Sequence, residues 1–202
     1  CRRSPSPRRR SYTTRWDTIS SVVPIRLRRI GAGVRLHRIH RAEHGPIFFG
    51  PAGDAPQSRF DSPDGSYKVL YAARMLETAF GETLVRTPET PYILSSVIET
   101  RVRSELETTR ALKLYSLIDA GVSVHGLSFS DLHGADCLRC WKVSAEIYAT
   151  TVADGILYTS RFDNHRCLAL FDRAADAIAE TTTKAIAIGA ARATILAHHF
   201  GK

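Results

Sequence analysis

One stretch constrains this chain more than any other: Ser58 to Arg86, SRFDSPDGSYKVLYAARMLETAFGETLVR. It reads as turn, strand and helix in immediate succession. Pro63-Asp64-Gly65 should reverse the chain, because proline presets φ and glycine accepts a positive one. Tyr67-Lys68-Val69-Leu70-Tyr71 is short, aromatic and β-branched, the composition of a strand. Ala72, Met75, Leu76, Ala79, Phe80 and Leu84 then recur at three- and four-residue steps and predict a helix with one apolar face.

Two carboxylates ride on that helix. Seven residues at about 100° each bring Glu82 within about 20° of Met75, at the border of the buried stripe. Glu77 falls nearer the solvent side. A carboxylate at the rim of a core costs free energy unless it is paired or hydrogen-bonded. One reading is an ordinary helix whose Glu82 makes a salt bridge. The other places Arg59, just before the turn, across one cleft from Glu82.

The rest of the chain alternates short strands and helices. Val22 to Ile30 alternates loosely and begins the fold. Val34 to His40 reads as a strand presenting Arg35, His37 or Arg38 on a wetter face. Residues 44–57, rich in Gly and Pro, form a loop around Ile47-Phe48-Phe49. Tyr92 to Leu106 predicts one or two strands, Ala111 to Tyr115 another, and residues 116–140 an irregular region. Trp141 to Val152 predicts a helix closed by Asp154-Gly155. Ile156 to Ser160, Cys167 to Phe171 and Lys184 to Ile188 predict strands, with helical pieces at 174–179 and Ala190 to His199. Without a clean βαβ repeat, the fold class is α+β, or mixed α/β: a single domain with a central sheet flanked by helices.

The charge is uneven. Lys and Arg number 28 against 20 Asp and Glu, but six of the arginines lie in residues 1–15, which hold no acid. Removing them leaves 22 against 20, so the basicity belongs to the tail. Residues 1–20, rich in Arg, Ser and Pro, are expected to be disordered, leaving 21–202 as the folded domain. The only methionine is Met75, so the chain is read as starting after its natural initiator. No apolar run reaches 18 residues and no signal h-region is present, which predicts no membrane span and a cytoplasmic location with the four cysteines reduced.

Several local patterns carry little. Gly31-Ala32-Gly33 lacks the third glycine of a dinucleotide loop, since Leu36 stands there. His37 and His40 are solvated or hydrogen-bonded histidines rather than a metal pair. His133-xxx-Cys137-xx-Cys140 resembles half a zinc site, but structural zinc needs four close ligands. No metal is expected.

Five pieces in order carry a family resemblance: Leu36-His37-Arg38-Ile39, Ser58-Arg59-Phe60-Asp61, Leu70-Tyr71-Ala72, Thr78-Ala79-Phe80-Gly81-Glu82, and Asp154 to Arg161, DGILYTSR. Over residues 34–202 the chain resembles the RES-domain family, the toxin half of bacterial RES–Xre toxin–antitoxin pairs. The resemblance implies a pocket like that of ADP-ribosyltransferases, with Arg59, Glu82 and Ser160 catalytic and Arg38 and Tyr71 also in contact with the dinucleotide. The long gap from Glu82 to Ser160 suggests an insertion within 104–140.

The implied activity is an NAD phosphorylase or glycohydrolase: NAD is the substrate, inorganic phosphate a possible co-substrate, and the nicotinamide–ribose bond the one broken. Glu82 would steady the oxocarbenium-like state, Arg38 and Arg59 would grip phosphates, Ser160 would orient the reacting end and Tyr71 would pack on the nicotinamide. The implied partner is an Xre-like helix-turn-helix antitoxin, with self-association as a homodimer and no specific nucleic acid. Two alternatives stand beside this: ADP-ribosyl transfer to a protein target, and a non-catalytic module whose basic tail contacts nucleic acid.

Overall fold

A computed structural model of the protein describes residues 27–51, 53, 55–85, 89–181 and 186–202. The expected disordered tail, residues 1–20, lies outside the described residues, as do 21–26. Among the described residues nine strands form one sheet: β1 (Leu27–Ile30), β2 (Arg35–Arg41), β3 (Val69–Ala73), β4 (Arg101–Thr108), β5 (Leu112–Ser116), β6 (Gly155–Thr159), β7 (Arg166–Phe171), β8 (Ile178–Glu180) and β9 (Ile186–Ala187). Six described helices accompany them: α1 (Leu76–Leu84), α2 (Ser95–Glu99), α3 (Ala120–Val124), α4 (Phe129–His133), α5 (Leu138–Thr150) and α6 (Ala190–His199). The sheet runs β1-β5-β6-β7-β3-β2-β4-β8, with β9 also on β4. Among the described strands only β5 and β6 pair in parallel.

Strand alternation divides the core in two. Leu70 and Ala72 of β3, Leu157 of β6, and Leu168 and Leu170 of β7 enter one cluster. Their neighbours Val69 and Ala73, Ile156 and Tyr158, and Cys167, Ala169 and Phe171 enter the other. The first cluster joins Leu112 and Leu114 of β5 to Leu106 of β4, strands five places apart in the sheet order. Only residues 109–111 join β4 to β5, so strands that far apart in order lie close together and the sheet curls on itself. Among the described residues this inner face takes none from an α-helix, and Ala174 and Ala177 reach it from a 3₁₀ turn at Asp172–Ala177. The outer cluster is covered by α1, α5 and α6. Close packing fixes the helix that carries Glu82: a Cβ on Gly81 would stand 2.8 Å from the Phe200 ring.

The structure departs from the sequence reading in places. Gly65 does take a positive φ of 76° in the expected turn. Met75, expected on the apolar stripe, is the residue before α1 and is 40% exposed. Residues 95–99, expected as strand, are helix α2. The irregular 116–140 region contains α3, α4 and the start of α5, and 174–179 is part 3₁₀ turn and part strand β8. Within 104–140, where an insertion was expected, most of β4 and all of β5 are built into the sheet, and residues 117–140 carry α3, α4 and the start of α5.

Candidate active site

The site begins with a seam that does not close. β2 and β3 share one register pair, His37 with Ala73, whereas β2 and β4 share seven and β3 and β7 share five. Beyond His37 the two strands diverge. The loop before β3 fills part of the gap: Gly50 N–H donates to Val69 O at 3.0 Å, and Val69 N–H returns the bond at 2.9 Å. What remains is a cavity of about 730 Å³, within the usual range of small-ligand sites. Residues 37–41 of β2 line it from one side and Val69 and Tyr71 to Ala73 of β3 from the other. α1 contributes Ala79, Glu82 and Thr83, and the loop before the turn contributes Gln57, Ser58, Arg59 and Asp61. Thr83 Oγ1 donates to Ile39 O at 3.3 Å, tying α1 across the split.

Four of the five residues singled out from the sequence line this cavity: Arg38, Arg59, Tyr71 and Glu82. Each is fixed by identifiable bonds or left conspicuously without them. Arg38 Nη1 donates to Pro46 O at 2.7 Å, and burial lowers its pKa to about 10, so it remains a cation at neutral pH. Arg59 Nη1 and Nη2 donate to the carbonyls of Asp131 and Gly134 at 3.0 and 2.9 Å. Neutral carbonyls hold the guanidinium plane without cancelling its charge.

Glu82 is half-buried. It makes no hydrogen bond or ion pair among the described residues, and so the salt-bridged alternative is not what the structure shows. A half-buried carboxylate left without such a partner costs free energy that a ligand or solvent can offset.

Ser160 is the exception. It is fully buried and does not line the cavity. Its Oγ accepts from Phe162 N at 3.1 Å, its N–H donates to His165 O at 2.8 Å, and its carbonyl accepts from Asn164 N at 3.1 Å. It therefore knots the turn between β6 and β7 and points its neighbour, not itself, at the cavity: Arg161 is a lining residue.

A group that sequence reasoning missed holds Arg59 in place. Asp61, 2% exposed, accepts Gln57 N and Ser58 N on Oδ2 at 2.9 and 2.7 Å, and the Tyr71 hydroxyl on Oδ1 at 2.9 Å. The same hydroxyl accepts Phe60 N at 2.9 Å. Trp141 Nε1 donates to Ser58 O at 2.8 Å, and Ser144 Oγ to Phe60 O at 2.8 Å. Burial pushes the Asp61 pKa up, opposed by those bonds. Burial, followed by the charge of Asp61, lifts the Tyr71 phenol well above its usual value. The phenol therefore stays neutral and serves as a clamp. The signal was present in Ser-Arg-Phe-Asp, where an Asp side chain turning back on its own backbone is a common loop device.

Five arginines (38, 41, 59, 101 and 161) face three carboxylates (Glu43, Asp61 and Glu82) around this cavity. Arg41 and Glu43 pair at 3.3 Å. His40 is buried, with Nδ1 at 2.9 Å from Arg41 O and Nε2 at 3.0 Å from Ser104 Oγ, and burial lowers its pKa and that of His37. Planar bidentate donors in excess suit a phosphorylated ligand. Among the described residues no group of three or more His, Cys, Asp or Glu could hold a metal ion, and Cys137, Cys140 and Cys167 are free thiols. No described helix is long and apolar enough to cross a membrane.

Comparison with known proteins agrees with this architecture. A chain of the crystal structure of the M. tuberculosis MbcT-MbcA toxin-antitoxin complex superposes with a TM-score of 0.66 at 13% identity, over 86% of this chain and 91% of that one. At that identity the likeness speaks for the fold. No curated protein matches the sequence. The family model for the RES domain matches residues 35–190, from the start of β2 to the first residue of α6. On that match, which spans most of the chain, the protein belongs to the RES-domain family.

Proposed function

We propose that this protein is a toxin that consumes NAD, breaking the nicotinamide–ribose bond by phosphorolysis or hydrolysis. One observation carries the reading: Glu82, a half-buried carboxylate without a partner among the described residues, faces a cavity that also presents Arg38, Arg59 and Tyr71. The bond to nicotinamide breaks through a state with positive charge on the ribose ring. A carboxylate on a helix that makes no ion pair among the described residues is free to stabilise that charge. Nicotinamide leaves as a neutral molecule, taking the bonding pair, so no general acid is needed. The guanidiniums hold the diphosphate, and Tyr71 gives one wall of the ring pocket while its hydroxyl steadies the Arg59 loop. Ser160 acts through Arg161 as a positioning residue.

The fold is shared with a chain of a toxin-antitoxin complex, which supports a neutralising partner, for which an Xre-type helix-turn-helix antitoxin is proposed. The substrate pool places the action in the cytoplasm. Incubating the purified chain with NAD, with and without inorganic phosphate, tests the reading by product analysis. ADP-ribose 1″-phosphate is expected with phosphate and ADP-ribose with water alone. NAD recovered intact sinks the proposal, and ADP-ribose found on protein instead selects group transfer.

A further inference from the structure

The turn that holds Arg59 is itself held by two thiols. Arg59 donates to the carbonyls of Asp131 and Gly134. Cys140 Sγ donates to the same Asp131 carbonyl at 3.2 Å, and Cys137 Sγ donates to Ala135 O at 3.7 Å. Both S–H groups therefore bond to the segment that mounts a cavity cation. Cys140 is fully buried, whereas Cys137 is partly exposed and lines the cavity. Burial raises the pKa of the Cys140 thiol, opposed by the charge of Arg59, so its proton stays on sulfur at neutral pH. Cys137 is the residue before α5 and Cys140 the third within it, and Trp141 N–H donates to Cys137 O at 2.9 Å. The two thiols thus lie one helical turn apart. Side chains at that spacing have Cβ atoms about 5–6 Å apart, and a disulfide needs about 3.5–4.5 Å. A small closure at the helix end joins them, and joining them removes both S–H donors from the turn. The Cys137-xx-Cys140 spacing, too sparse for zinc, suits this bond.

We propose that Cys137 and Cys140 are a peroxide-sensitive pair whose disulfide loosens the turn that holds Arg59 and so lowers activity. The bond itself is argued from the thiols alone, and its effect on turnover rests on the NAD reading above. Reactive cysteines are partly exposed and sit in electropositive surroundings. Cys137 is the one described cysteine that is not buried, and it opens on a cavity with more arginines than carboxylates. In the first step the Cys137 sulfur bonds to one oxygen of hydrogen peroxide as the O–O bond breaks. The departing hydroxide takes the thiol proton and leaves as water, and Cys137 becomes a sulfenic acid. The Cys140 sulfur then bonds to the Cys137 sulfur, and the hydroxyl leaves with the Cys140 proton as a second water. Two thiols are oxidised to a disulfide and one peroxide is reduced to two waters.

The test treats the purified full chain with hydrogen peroxide and follows tryptic mass mapping, amide hydrogen exchange over residues 131–137, and NAD turnover. Trypsin cuts after Arg139, between the two cysteines, so the bridge appears as two peptides joined with loss of two hydrogens. Exchange over 131–137 should quicken. The kcat/KM for NAD should fall about tenfold, the worth of one charge-assisted hydrogen bond from Arg59. A thiol reductant should reverse all three changes. Cys137→Ser keeps an O–H donor for Ala135 O and cannot bridge, so its treated and untreated rates should be equal. Failure to form the 137–140 bridge, or a bridge with exchange and turnover both unchanged, overturns the proposal while the NAD reading stands. Inhibition of Cys137→Ser to the same extent as the wild type also overturns it, because the oxidation that matters then lies elsewhere. A reversible bridge with quickened exchange in a protein that never consumes NAD supports the switch and removes the NAD reading.

Discussion

Strand β3 has two neighbours and treats them differently. Toward β7 it zips over five residues, from Val69 with Phe171 to Ala73 with Cys167. Toward β2 it pairs once and then parts company. The difference lies in the partners. β7, RCLALF, is apolar after its first residue and can be buried on both faces. β2, RLHRIHR, carries five basic residues in seven. Burying its three guanidiniums and two imidazoles against a second strand would cost more than the ladder returns. On its other side β2 meets β4, whose Glu105 lies 3.6 Å from Arg35 and offsets part of the charge. The lesson is that composition decides where a sheet opens. The closed seam carries the stability, and the open one is left with unpaired charge that a ligand can use.

The sharpest way to break that contrast is to change one residue on each side and measure both properties. Glu82→Gln keeps size and shape in the open seam. It should lower the rate of NAD loss by about 10²–10³-fold, the scale of removing one preorganised electrostatic group, with the melting temperature nearly unchanged. Full activity in that variant would remove the central assignment. Leu170→Ala, at a fully buried position of the closed seam, should cost about 2–5 kcal/mol of folding free energy in denaturant titration. Activity per folded molecule should survive. A mild Leu170→Ala together with a destabilising Glu82→Gln would invert the comparison.

Asp61 lies between the extremes, because it is buried for stability yet positions a cavity cation. Asparagine replaces one acceptor oxygen by a donor, so it cannot serve both the Gln57 and Ser58 amides and the Tyr71 hydroxyl. Asp61→Asn should cost about 1–3 kcal/mol, the penalty for an unsatisfied buried group. It should also reduce kcat/KM for NAD by loosening the Arg59 loop. Loss of stability with unchanged kinetics would show that the clamp serves the fold alone.

Much of this was legible from the sequence, and the failures are instructive. β2, β5, β6 and β7 were readable because each is a run whose burial alternates or is continuous, and α6 because its apolar spacing stands alone at the end of the chain. Residues 95–99 misled because β-branched Val97 and Ile98 suggest strand, while the segment is a single helical turn with no buried residue, formed by its surroundings rather than its pattern. Arg38, Arg59, Tyr71 and Glu82 came from motif order, not from periodicity, and the structure brings them to one cavity. Ser160 and Asp61 show the limit. Both are short polar residues beside a recognisable motif, and only three-dimensional hydrogen bonding reveals that one knots a turn away from the cavity and the other clamps a loop at its edge. The open seam was not legible at all, since it depends on which strand β2 would meet.

The smallest effect is expected from an arginine that resembles those of the cavity in charge but not in setting. Arg110 bridges Asp154 and Asp176, each at 3.0 Å, beside the closed part of the sheet. Its side chain is 40% exposed and that of Asp176 is 68% exposed, so solvent screens most of the attraction. Such a pair contributes about 0–1 kcal/mol. Asp154 keeps its bond from Lys113 N at 2.7 Å whatever stands at position 110. Arg110→Lys should therefore shift the denaturation midpoint barely and leave NAD turnover untouched. Arg59→Lys is the matched change in the open seam. Lysine is a point charge without the planar fork that spans the carbonyls of Asp131 and Gly134, so turnover should fall nearly as far as in Arg59→Ala. Equal tolerance of lysine at both positions would mean that the cavity needs only positive charge, and that the fixed plane of its guanidiniums is incidental.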